Sequence, residues 1–123
     1  MRNLVTAMLL VVGVIHLLPL PGVLGARRLA ALYGLTFEEP NLAILMRHRA
    51  VLFGLIGAFY CVAAFRPELQ AAAFIGGYIS VASFLWLAWA TGGYNGQLRR
   101  VVLADVVALV CLIIGTAAHV IPA

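Results

Sequence analysis

The sequence predicts an all-α integral membrane protein, one transmembrane domain over residues 1–123 built as a bundle of four helices. Three observations carry that expectation. Of the 123 residues, 65% are hydrophobic and only 10% charged, against about 25% charged in a soluble domain. The mean hydropathy is +1.11, so lipid suits most of the surface better than water. The apolar residues fall in four runs, each suited to a bilayer crossing of about 20 residues, and Pro, Gly and Arg punctuate them.

The first span is expected at about residues 4–18. Arg2 and the apolar run after it imitate a signal peptide, but the run is long and Pro19 and Pro21 follow where a small-residue cleavage site belongs, so it reads as a span. Pro19, Pro21 and Gly22 end it. Residues 26–33 form a short interfacial helix closed by Gly34, with Arg27 and Arg28 toward headgroups and Leu29 and Leu32 toward the apolar layer. Thr36-Phe37-Glu38-Glu39 has the spacing of a capping box, and Pro40 suits an early helical turn. The remaining spans are expected at about residues 41–65, 69–90 and 98–120. Arg66-Pro67-Glu68, the glycine-rich loop at 91–97, and Pro122 are the breaks after them.

Charge orients the bundle. Arg27, Arg28, Arg47, Arg49, Arg99 and Arg100 flank one side, and only Arg2 and Arg66 the other. The positive-inside rule puts the first side in the cytoplasm and both termini in the periplasm of a bacterial inner membrane. The net charge of +4 and the absence of lysine fit anionic headgroups and topology, with no nucleic-acid partner expected. Cys61 and Cys111 lie inside apolar runs without CxxC or metal spacing and read as packing residues.

Helical phase then selects candidate site residues. On the second span Arg47, Ala50, Gly54, Gly57, Cys61 and Ala64 share a stripe of small residues that marks a close helix contact and turns Arg47 inward. Arg49 shares another face with Phe53, Ile56 and Tyr60. His48 heads a bulkier stripe, Leu52, Leu55, Phe59 and Val62, suited to lipid or a neighbouring subunit. Ala104, Ala108, Cys111, Gly115 and Ala118 make a second seam bordered by Asp105, and Gly76, Ser80, Ser83 and Leu87 a third stripe. Asp105 lies five residues past Arg100, about 7.5 Å deeper at the helical rise. An unpaired carboxylate there is costly, so Arg47 or Arg49 is expected to pair with it. The candidate ligand-binding residues are His16, Arg47, Arg49, Ser83 and Asp105, lining a polar pocket open to the cytoplasm. The competing reading is a buried ion pair that fixes helix register.

No catalytic residue is assigned, and no cofactor or metal is expected. The sequence holds no P-loop, Rossmann fingerprint, nucleophile elbow or HExxH motif. His16 and His48 lack a spacing that would indicate haem or metal. Glu38 and Glu39 read as charges at a helix start.

The segments His16-Leu17-Leu18-Pro19-Leu20, Glu39-Pro40-Asn41-Leu42-Ala43-Ile44-Leu45 and Arg47-His48-Arg49-Ala50-Val51-Leu52-Phe53-Gly54, with Tyr94-Asn95 and Asp105, resemble a family of small four-helix inner-membrane proteins of Gram-negative bacteria whose activity is unassigned. The resemblance spans the whole chain. Some members carry the label phosphopantetheine adenylyltransferase. Enzymes of that kind resemble nucleotidyl transferases, with an alternating α/β sheet and an HxGH motif, and this chain has neither. In helix count and size it is also similar to DoxX-like membrane proteins.

The leading functional expectation is a binding protein for a lipid-like, anionic amphiphile, with membrane lipids around it and a homo-oligomeric assembly favoured by the small-residue seams. A transporter or channel subunit is the alternative. Small multidrug transporters are similar in length and helix count, but their membrane carboxylate is on the first helix and this one is on the fourth. A membrane enzyme using His16 and Asp105 as acid and base ranks below both.

Overall fold

Helix α1 spans Arg2–Leu17, followed by a 3-10 turn at Leu20–Leu24, α2 at Ala26–Tyr33, α3 at Pro40–Ala63, α4 at Pro67–Thr91 and α5 at Gly96–Val120. The structure, a computed structural model, describes residues 1–121; the break assigned to Pro122 lies outside them. Among the described residues there is no strand. The segment of α1 with its 3-10 turn, and α3, α4 and α5, are each long and apolar enough to cross a membrane.

Proline and capping residues place the helix starts. Pro40 and Pro67 occupy the first turns of α3 and α4, where a missing N–H costs nothing. Pro40 also holds Glu39 in extended conformation, with φ −67° and ψ 124°, because a residue before proline is driven out of the α region. That conformation belongs to an N-cap, and the Glu39 carboxylate accepts from Leu42 N–H at 2.8 Å. The expected capping box from Thr36 is therefore displaced by three residues, to Glu39. Asn95 caps α5 in the same way, accepting from Leu98 N–H at 2.9 Å.

The four long helices form a ring in which α1 touches α3 and α5, and α4 touches α3 and α5. Successive long helices run up and down, so α1 and α4 stand on the diagonal. Val5, Leu9 and Val12 of α1, Tyr60 of α3, Phe74 and Val81 of α4 and Leu112 of α5 fill the centre. Large apolar residues such as Leu55, Ile79, Trp86 and Ile113 stay on the outside, which is the arrangement of a bundle solvated by lipid.

Between lipid-solvated helices, close packing and hydrogen bonds supply the association that the hydrophobic effect supplies in water. A close backbone contact joins α1 to α3 at Gly13 and Gly57. A Cβ on Gly57 would stand 2.9 Å from the Gly13 carbonyl oxygen and 2.7 Å from Leu17 Cγ. The small-residue stripe of α3 does make this seam, with Ala50, Gly57 and Ala64 buried. The bulky stripe headed by His48 faces outward along its whole length. On α5, Ala108, Cys111, Gly115 and Ala118 are buried as the sequence expects.

Helix α4 is rotated from the expected phase. Gly76, Ser83 and Leu87 are exposed, and the buried face is Gln70, Ala73, Phe74, Gly77 and Val81. Gly77, not Gly76, meets Leu112 of α5. Apolar residues surround α4 on every side, so hydropathy carries no phase there, and Phe74 decides the rotation by filling the space against Gly115.

Helix α2 closes one end of the bundle, against the 3-10 turn, α3 and α5. It buries Leu29 and Tyr33, which cluster with Phe37, and leaves Arg27 and Arg28 exposed. Gly34 ends it at φ +68°, a left-handed conformation that glycine adopts without cost. Asn95 Nδ2 donates to the Tyr33 carbonyl at 2.8 Å, tying the end of α2 to the start of α5.

Candidate functional site

Beneath α2 lies a cavity of about 300 Å³, within the size range of small-molecule sites. Its apolar walls include Ile15, Leu18 and Pro19 after the bend of α1, Phe53 of α3, Phe84 of α4 and Val101 and Ala104 of α5, with Leu32 of α2 above. Its polar lining is His16, Tyr33, Arg49, Gln97, Arg100 and Asp105. Leu18, Ala31 and Arg100 are exposed at the surface, so the cavity is open to the outside near the α2 end. A second hollow, about 520 Å³, is framed by Trp89, Tyr94, Arg99 and the glycine loop. All three of those side chains are exposed, and no buried ionisable group faces it.

Arg49 is held on two sides. One guanidinium nitrogen donates to the Tyr33 hydroxyl, and the guanidinium carbon lies 4.5 Å from the centre of the Phe53 ring. A cation on an aromatic face gains about 0.5–2 kcal/mol. The remaining donors of the fork are left for another partner. The planar guanidinium suits a carboxylate or phosphate.

His16 is 2% exposed and fully engaged. Its Nδ1 lies 2.9 Å from the Val12 carbonyl, which can only accept, so Nδ1 carries a proton. Its Nε2 lies 2.9 Å from Ser80 Oγ; in the neutral ring it accepts from that hydroxyl. The ring stacks on Phe53 at 5.7 Å and meets the edge of Tyr60 at 4.9 Å. This hydrogen bond crosses the diagonal from α1 to α4 and locks the bundle at the floor of the cavity. His16 offers the cavity a ring face, with neither nitrogen spare.

Asp105 is half-buried and lines the same cavity. The expected pairing with Arg47 or Arg49 does not form: among the described residues the one ion pair is Arg66 with Glu68, at 2.6 Å on the exposed surface of the other end. Arg49 is turned to Tyr33 and Phe53 instead. Among the described residues no buried side-chain oxygen lacks a partner, so the Asp105 carboxylate keeps access to the open space.

The sequence-derived candidates thus divide. His16, Arg49 and Asp105 come together on one cavity. Arg47 and Ser83 do not join them. Arg47 is exposed, and its Nε donates to the Val23 carbonyl at 2.8 Å. The proline-broken end of α1 leaves that carbonyl outside regular α-helix, and Arg47 supplies the donor. Ser83 is exposed, with Oγ donating to the Ser80 carbonyl at 3.0 Å; the rotation of α4 brings Ser80 inward in its place. Tyr33, Phe53, Gln97 and Arg100 were not expected at the site. Phe53 shares a face with Arg49, and Gln97 and Arg100 lie on the turns of α5 that precede Val101, Ala104 and Asp105, so helical phase could have found them; only Tyr33 reaches the cavity through the docking of α2.

The fold and its lipid-compatible exterior define a multi-pass α-helical membrane protein. Compared with known protein families, curated proteins and solved structures, the chain finds no match.

Proposed function

We propose that this protein sits in a bacterial inner membrane, with its termini in the periplasm, and binds a lipid-like amphiphile with an anionic headgroup in a cytoplasm-facing pocket. The observation that carries the reading is the cavity beneath α2, which pairs apolar walls with a preorganised Arg49 and with Arg100. Arginines of this kind suit a phosphate or carboxylate, and apolar walls suit a hydrocarbon segment. The arginine-rich end, with Arg27, Arg28, Arg99 and Arg100 exposed, fits the side of the membrane where anionic lipids gather. That both His16 nitrogens are engaged supports binding over acid–base chemistry, which needs a nitrogen free to exchange a proton.

Native mass spectrometry of the protein released from mild detergent tests the reading. Wild type retains an amphiphile mass, and Arg49→Gln retains roughly tenfold less or lower, since a charge-assisted hydrogen bond is worth about 1.5–3 kcal/mol. A bare wild-type protein, or equal retention by Arg49→Gln, contradicts it.

A further inference from the structure

The anion-binding reading leaves Asp105 unexplained. A carboxylate facing the same small cavity as Arg49 and Arg100 repels a purely anionic occupant. It also has no cationic partner within 4.0 Å among the described residues, in a part of the bundle where an unpaired carboxylate is costly. An occupant with one anionic group and one protonated amine answers both points. Resting on the amphiphile reading above, we propose that the headgroup held here is zwitterionic: its phosphate lies on Arg49 and Arg100, and its ammonium donates to Asp105. That is the chemistry of a phosphoethanolamine group.

The placement of the charges supports this assignment. Arg49 and Asp105 each stand nine residues beyond the first residue of their helices, Pro40 and Gly96. Both helices start at the α2 end, so the two groups lie at about the same depth, on α3 and on α5. Arg100 is closer to the mouth by about 7.5 Å of helical rise and is exposed. A headgroup therefore lies obliquely in the cavity, its amine at Asp105 on α5 and its phosphate between Arg49 on α3 and Arg100 nearer the mouth. Arg49 is committed to Phe53 and Tyr33 and stands beyond ion-pair distance of Asp105, so among the described residues no side chain donates to that carboxylate and it is left for the ligand's ammonium. Gln97 adds a neutral amide to the lining, able to donate or accept.

The test is a competition in the wild-type protein. Detergent-solubilised protein is mixed with equimolar phosphatidylethanolamine and phosphatidylglycerol of matched acyl chains, and the adducts are weighed by native mass spectrometry. Wild type retains the ethanolamine lipid roughly tenfold over the glycerol lipid, the factor that one charge-assisted hydrogen bond supplies. Asp105→Asn, which keeps shape and removes charge, brings the ratio close to one while still retaining lipid. Glycerophosphoethanolamine added at the concentration of the lipid separates the two sources of this headgroup: displacement of the lipid assigns the water-soluble form, and persistence of the lipid adduct assigns the membrane form. Equal or better retention of phosphatidylglycerol by wild type overturns the proposal, as does an unchanged ratio in Asp105→Asn. If that variant does not fold, the wild-type ratio alone decides. Failure of wild type to retain either lipid or the soluble headgroup overturns the amphiphile reading itself, and this proposal with it.

Discussion

Replacing Gly57 with Ala adds one methyl group where α1 and α3 pack backbone against backbone. Its Cβ would stand 2.7 Å from Leu17 Cγ, 2.9 Å from the Gly13 carbonyl oxygen and 2.9 Å from a Leu17 Cδ, where carbon–carbon contacts are at rest near about 3.5–4.0 Å. One obstacle is backbone and another is the branch carbon of a packed side chain, so a rotamer change does not clear the space and the helices must part. Overpacking of this kind costs about 1–3 kcal/mol. Alanine returns up to about 1 kcal/mol of helix propensity, leaving a net loss of up to about 2 kcal/mol. Gly76→Ala is the matched control. Gly76 is exposed on α4 and its Cβ would meet only the Tyr60 hydroxyl, at 3.8 Å, so the propensity gain of up to about 1 kcal/mol stands alone. The two variants should therefore separate by about 1–3 kcal/mol with opposite signs. Unfolding from a mild detergent into SDS, followed by circular dichroism, reads the difference. A Gly57→Ala protein as stable as Gly76→Ala refutes the close approach of α1 and α3.

Other outcomes follow from the same contacts. Ser80→Ala leaves His16 Nε2 without its partner and should cost about 1–3 kcal/mol in the same unfolding assay, whereas Ser83→Ala, at an exposed site, should change stability by less than about 0.5 kcal/mol. Asn95→Ala removes both the α5 cap and the tie to the Tyr33 carbonyl; a loss of about 0.5–2 kcal/mol is expected, with hydrogen exchange rising in α2 before the long helices. The Leu42 N–H, followed by the Asn41 N–H, holds the Glu39 carboxyl below its ordinary pKa. The contribution of Glu39 is then complete above the ordinary carboxylate pKa and disappears as pH falls through the lowered value. Thermal midpoints of wild type should drop on acidification more than those of Glu39→Gln, and parallel curves would contradict the cap.

The helices and their order were legible because each rests on local chemistry: apolar length for the spans, Pro40, Pro67 and Gly34 for starts and stops, and the opposition of Arg27 and Arg28 to Leu29 and Leu32 for α2. Rotation was legible only where side-chain size varied around the helix. On α3 the small residues Ala50, Gly57 and Ala64 oppose the bulky Leu52, Leu55 and Phe59, and the first set is buried and the second exposed as their sizes predict. On α4 the neighbours Gly76 and Gly77 are equivalent in composition, and the choice between them depends on how Leu112 and Phe74 pack. The same limit divides the site. Arg49 and Asp105 could be selected because charge inside an apolar run is conspicuous. Whether they pair with each other depends on competing partners: Phe53 lies one turn beyond Arg49 on the same helix, but Tyr33 reaches it from α2, whose placement is tertiary. The small-residue stripe turns Arg47 inward, but the broken end of α1 offers it a carbonyl that periodicity cannot reveal.

The most direct test of the binding site is photolabelling with a lipid that carries a diazirine near its headgroup, followed by peptide mapping of the crosslinked residues. The account predicts labels concentrated on the cavity lining, at Phe53, Phe84 and Val101, and depleted by Arg49→Gln. Labels spread over the outer face instead, at Leu55, Phe59 and Ile79, with no response to that substitution, would mean that lipid only surrounds the bundle and that the cavity beneath α2 holds no amphiphile.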